Sequence, residues 1–177
     1  MKKTLNAILL IVIFLIIYLL QSNLFSWFNL AGVKPNLFVV FVLVIGLFLG
    51  ESRGITWGII FGITLDLFIG KNVGISAIML GAVGFLGGFL DKNFSKDSRF
   101  TMMLMIGIST CLYEVGLYLF NHFLNDANIN IGLFIQTIIL EILFNIILTI
   151  ILYPIITKLG YRSEKIFKEN KILTRYF

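Results

Sequence analysis

The chain has 177 residues, 59% of them hydrophobic and only 13% charged, where a typical soluble domain carries roughly 25% charged residues. That composition excludes a water-soluble fold, and the apolar residues gather in long uninterrupted runs whose solvent is lipid. The formal charge of +5 does not indicate nucleic acid, because the cations fall between the apolar runs and do not interleave with the aromatic residues.

Six runs follow in chain order, at 5–20, 37–49, 55–69, 75–90, 100–120 and 131–153. They predict an all-α integral membrane protein, a bundle of about six transmembrane helices. The first run follows Met1, Lys2 and Lys3 as a signal sequence would. The residues after it, Gln21 to Trp27, hold no small-x-small cleavage site, so it reads as an uncleaved membrane helix. The middle runs are short but can borrow flanking residues, since Pro35 can begin a helix and Glu51 or Arg53 can lie at the interface. Five spans is the alternative, with the second and third runs folded into one buried hairpin. The single cysteine, Cys111, lies inside the fifth run and reads as a small core residue; no intrachain disulfide is possible.

Cytoplasmic loops retain Lys and Arg while short exported loops lack them. With the amino terminus inside, the inner segments hold Lys2, Lys3, Arg53, Lys92, Lys96, Arg99, Lys158, Arg162, Lys165, Lys168, Lys171 and Arg175, twelve of the fourteen. The outer segments hold Lys34 and Lys71. Both termini are therefore expected in the cytoplasm. Residues 1–156 read as the transmembrane domain and 157–177 as a basic cytoplasmic tail. In that tail Leu159, Ile166 and Leu173 recur at heptad spacing, which suits a short helix on the inner membrane surface; a solvated basic tail is equally compatible.

Within the runs, Gly54, Gly58, Gly62, Asp66 and Gly70 recur every four residues, which cuts one face of the third helix for close packing. Gly81, Gly84 and Gly88 do the same for the fourth. These glycines read as packing notches before they read as ligand contacts. The fifth helix aligns Gly107, Cys111, Glu114 and Tyr118, and the sixth Thr137, Glu141, Asn145, Thr149 and Tyr153, one polar stripe each. Asp66, Glu114 and Glu141 all fall toward the outer half. No Lys or Arg lies within a span, so these acids must be protonated, hydrated in an outward pocket, or met by a cation from another chain. Together with Asn145 they are the candidate partner or pocket residues. Catalysis has little support: His122, the only histidine, is expected in an outer loop without a nucleophile beside it. No phosphate loop or metal-ligand cluster is present, so no enzyme activity, cofactor or metal is expected.

The stretch 34–90 resembles the bacterial rod shape-determining protein MreD family. The matching features are the Pro35-Asn36 start of the second span, a short Gly-flanked turn around Gly54, the Gly58 to Asp66 face, Asp66-Leu67-Phe68 with Gly70, and the Gly74 to Ala77 start of the next span. The resemblance implies a non-catalytic scaffold of cell-wall elongation in the plasma membrane, acting with MreC, the MreB filament, RodA and a penicillin-binding protein, with a homo-oligomer also open. It further implies a fold similar to the substrate-binding subunits of energy-coupling-factor transporters, so a small-solute-binding transporter subunit is the alternative function.

Overall fold

In the computed structural model, which describes residues 2–24, 32–69, 73–125 and 130–172, each apolar run becomes a helix. α1 (Lys2–Leu19) continues into a π-helical turn (Leu20–Leu24), and is followed by α2 (Leu37–Leu49), α3 (Glu51–Ile69), α4 (Ile75–Asn93), α5 (Arg99–Asn125) and α6 (Ile131–Ile172). Among the described residues four segments are long and apolar enough to cross a membrane: Thr4–Asn23, Ile75–Asn93, Arg99–Phe123 and Ile131–Phe167. α2, with 13 residues, rises only ~20 Å against a hydrocarbon core of ~30 Å, and α3 opens on Glu51 and Arg53. The molecule is thus an all-helical membrane bundle in which four of the six helices meet the length and composition of a span unaided.

The apolar surface is turned outward. On α6, Ile135, Ile139, Leu143, Ile147 and Ile151 are exposed, while Glu141, Asn145 and Thr149 are buried. This is the reverse of a soluble amphipathic helix and is what a lipid solvent requires. On α5 the buried residues are Met102, Met105, Ile106, Ser109, Thr110 and Tyr113, whereas Cys111 is exposed. The buried face of α5 is therefore centred to one side of the stripe from Gly107 to Tyr118, whose Glu114 and Tyr118 are half-buried, and Cys111 is not a core residue. His122 belongs to the last turn of α5, not to a loop.

Backbone meets backbone along a glycine-rich seam among α2, α3 and α4. A β-carbon built on Gly54 would lie 2.2 Å from the Gly84 carbonyl oxygen, one on Gly58 2.3 Å from that of Leu80, and one on Gly62 2.3 Å from the Ala77 Cα. The partners step backward along α4 as the glycines step forward along α3, so the helices run antiparallel with backbones touching. α2 joins the same seam: a β-carbon on Gly46 would meet the Gly84 oxygen at 2.3 Å, and one on Gly87 the Leu43 oxygen at 2.5 Å. Gly54, Gly58 and Gly62 thus face the α4 backbone. Gly70 lies outside the described residues.

The turn expected around Gly54 is instead at Gly50, one residue from the end of α2. Gly50 has φ 92° and ψ 168°, a combination open essentially only to glycine, and Glu51 through Gly54 form the first turn of α3. Gly50 N–H bonds to Gly46 O at 2.9 Å, which closes α2. Two cations satisfy further carbonyls at that end, Lys96 Nζ to Leu47 O at 3.3 Å and Arg53 to Leu49 O at 3.2 Å, as the negative end of a helix favours. Lys96 also pairs with Asp91 at 2.8 Å and Glu164 at 2.9 Å. Glu164 lies on α6, which passes 156 without a break. Its Gly160 sits against the Phe48 ring, and its Tyr161 packs edge-on to the same ring at 5.1 Å.

The seam makes a sharp expectation. Gly84→Ala puts a methyl into the Gly54 backbone and should destabilise the protein by about 1–3 kcal/mol, whereas Gly107→Ala meets only an Ile142 methyl at 3.7 Å and should be neutral. Thermal unfolding in detergent of the two variants beside the wild type checks this, and equal melting would remove the seam as a determinant of stability.

Candidate functional site

Pro35 and Asn36 start α2, but Pro35 precedes the helix and Asn36 caps it. The Asn36 side-chain oxygen accepts from Val39 N at 3.4 Å, as an N-cap does. Two neighbouring donors at this end are taken by other helices: Leu37 N–H reaches the Gln21 side-chain oxygen at 3.1 Å, and Asn36 N–H reaches Asn145 Oδ1 at 2.8 Å. A buried helix end must be satisfied by such groups, and here α6 and the end of the α1 segment supply them.

Asn145 is fully buried and joins three helices. Besides accepting from Asn36, it donates through Nδ2 to Thr110 Oγ1 on α5 at 3.0 Å, and its own carbonyl accepts from Thr149 at 2.6 Å. One turn earlier on α6, the Glu141 carboxyl lies beside Glu114 of α5 and the Asn36 side chain. The buried Tyr113 hydroxyl approaches Ser76 at the start of α4 and Asn36. The starts of α2 and α4 therefore meet the middles of α5 and α6 in one buried polar cluster. Glu141 Oε1 remains buried without a partner.

The third acid is held elsewhere. Asp66 is buried, and its Oδ2 accepts from Gly74 N–H at 2.7 Å. Gly74, with φ 107°, is the residue that begins α4; the carboxylate thus fastens the turn between α3 and α4 by taking a donor at the positive end of a helix. The structure brings Glu114, Glu141, Asn145 and Asn36 together, and engages Asp66 with its own turn. Sequence reasoning missed Thr110 and Tyr113 because burial on α5 follows 102, 106, 109 and 113, a face one residue off the stripe marked by the glutamate. It also missed Lys96, whose position in a loop signals orientation and not a buried ion pair. Among the described residues no three His, Cys, Asp or Glu side chains come together as a metal ion would need.

This geometry positions and satisfies polar groups; it does not set a nucleophile against a base. A family model described as rod shape-determining protein MreD matches residues 1–161. The chain belongs to the MreD family. MreD proteins are multi-pass membrane proteins with a role in rod shape determination, and the matched region takes in both the glycine seam and the polar cluster. It ends within α6, three residues before the Glu164 partner of Lys96. No curated protein and no solved structure matches the chain.

Two substitutions test the cluster against the turn. Asn145→Leu strands the Asn36 N–H and the Thr110 hydroxyl and should cost about 1–3 kcal/mol. Asp66→Ala should cost about 1 kcal/mol by removing a helix-terminal acceptor, and Asp66→Asn, which keeps an acceptor, should cost less. Unfolding by denaturant in mixed micelles ranks the three, and Asp66→Ala melting with wild type would show that the turn does not depend on the carboxylate.

Proposed function

We propose that this MreD protein is a non-catalytic scaffold of the cell-wall elongation machinery, holding its partners in the plasma membrane to maintain rod shape. The observation that carries the reading is the family match over nearly the whole bundle. The buried polar residues support it, because Asn36, Thr110 and Asn145 are consumed in joining helices and serve rigidity. The partners in this reading are MreC, with MreB, RodA and a penicillin-binding protein in the same assembly. Asp66, Glu114, Glu141 and Asn145 act by fixing the shape that those partners meet.

In the same reading all six helices cross the membrane, α2 and α3 as a tight pair supported by α4, and both termini are cytoplasmic, as the placement of Lys and Arg supports. The fold then resembles the substrate-binding subunits of energy-coupling-factor transporters. The transporter alternative is favoured by one observation, the unpartnered Glu141 Oε1, an acceptor that a small solute could engage.

Depletion in a rod-shaped host separates the two: rounding of the cells supports the scaffold, and intact shape with loss of uptake of one nutrient supports the transporter. For topology, a reporter fused at Asp126 should read outside and one after Phe177 inside. Finding both on the same side would remove the sixth crossing.

A further inference from the structure

α1 is held to the bundle on one side and stands away from it on the other. Phe14 stacks on Phe61 of α3 at 4.4 Å and tilts against Phe38 of α2 at 5.5 Å, and Tyr18 meets Phe68 at 5.0 Å. Away from those rings, α1, α2 and α6 enclose a half-open groove of about 300 Å³, walled by aliphatic side chains such as Leu10, Ile13, Ile17, Val44 and Ile156. At one end of the groove lies Ser163, whose hydroxyl donates to Asn6 Oδ1 at 3.3 Å. Asn6 is only 6% exposed, and its Nδ2 has no hydrogen-bond partner. It falls on the same face of α1 as Leu9, Leu10 and Ile13, which line the groove. A buried amide donor is expensive to leave unpaired, and this one lies beside Ser163, which lines the end of the groove.

The geometry points to a resident phospholipid, with one acyl chain lying in the α1–α2–α6 groove and a phosphate or ester oxygen accepting from Asn6 Nδ2. Its dimensions select the occupant. The lining runs from Leu9 on α1 to Leu20 at the start of the π-helical turn, and from Leu152 to Ser163 on α6, about 16 Å of helix in each case, or half of a hydrocarbon core ~30 Å thick. Half of the hydrocarbon core is one leaflet, the reach of one acyl chain. A helix seat would present small residues. The one glycine in the wall, Gly160, is already covered by the Phe48 ring. Arg162, exposed one position before Ser163, places a cation near the end where the phosphate would lie.

The test uses the full chain in vesicles of phosphatidylethanolamine and phosphatidylglycerol containing a trace of phosphatidylglycerol with a mid-chain diazirine. After photolysis, mapped adducts should concentrate on Ile13, Val44 and Ile156 over the lipid-facing Leu104 and Ile108 of α5 by about five-fold, equivalent to about 1 kcal/mol of preference. Val44→Trp and Ile155→Trp, which fill the groove, should bring its labelling down to the α5 level. Asn6→Leu should lower the lipid that survives detergent extraction, read by native mass spectrometry. Labelling of the wild-type groove no denser than that of α5 would overturn the site without reference to any variant. So would labelling unchanged in tryptophan variants that elute and melt as wild type. A groove that is labelled in vesicles but closed in cell membranes, where it crosslinks to a partner's helix, would also overturn it.

Discussion

Backbone contact between α4 and its two neighbours is the constraint on which the rest of the structure depends. In lipid there is no hydrophobic drive to bring helices together, so association rests on packing and interhelical hydrogen bonds. Glycines at 46, 54, 58, 62, 84 and 87 let those backbones come into direct contact. The consequence reaches α2 first. Pressed against α3, α4 and α6, it is buried around nearly its whole circumference, with eleven of its 13 residues inside, and so both of its ends must be satisfied by groups from elsewhere in the bundle.

The polar residues of the chain can be understood as answers to that requirement. At the start of α2 the donors go to Asn36, Gln21 and Asn145; at its end the carbonyls go to Gly50, Lys96 and Arg53. The same residues then tie outer helices to the centre. Asn145 binds α6 to α5 through Thr110, and Lys96 binds α6 back to the end of α4 through Glu164 and Asp91. A short helix that cannot cross the membrane alone thus becomes the element around which the long ones are indexed. Removing one partner of such a buried pair leaves the other uncompensated, so each contact holds the bundle only as a pair.

The chain's periodicity showed most of the helices because lipid imposes one rule on every run. The run at 37–49 coincides with α2, and the every-fourth glycines do form the α3 face that meets α4. What escaped reading depends on contacts between distant segments. α3 begins at Glu51 because Gly50 alone makes the turn, a fact of backbone angle and not of apolarity. α6 continues through Pro154 to Ile172 because Gly160, Tyr161 and Glu164 find partners on α2 and in Lys96, and nothing local to that basic stretch announces them. Of the candidate site, the pairing of Glu141 with Asn145 one turn on was legible in their spacing. The separation of Asp66 from Glu114 and Glu141 was not, since all three are acids in apolar runs and only the fold assigns Asp66 to the turn at Gly74.

Spending the small residues inside has a further effect on how such a protein can hold others. The exposed faces of α5 and α6 carry Leu104, Ile108, Leu112, Ile139, Leu143 and Ile147, bulky side chains without the notches that permit close helix contact. A membrane partner meeting those faces would gain dispersion contacts but little register, because ridges of Leu and Ile on a lipid-facing surface are chemically similar to the lipid they displace. Specific recognition then has to come from features that lipid lacks: the ends of helices, the ionic cluster around Lys96, and α1, which is pinned by Phe14 and Tyr18 yet parted from α6 by an apolar groove. α2, α3 and α4 are locked by backbone contact and cannot yield without breaking the seam. α1 is held instead by ring contacts, by the Ser163–Asn6 hydrogen bond and, at the end of its segment, by the bond from Leu37 to Gln21, and so by side chains in place of backbone.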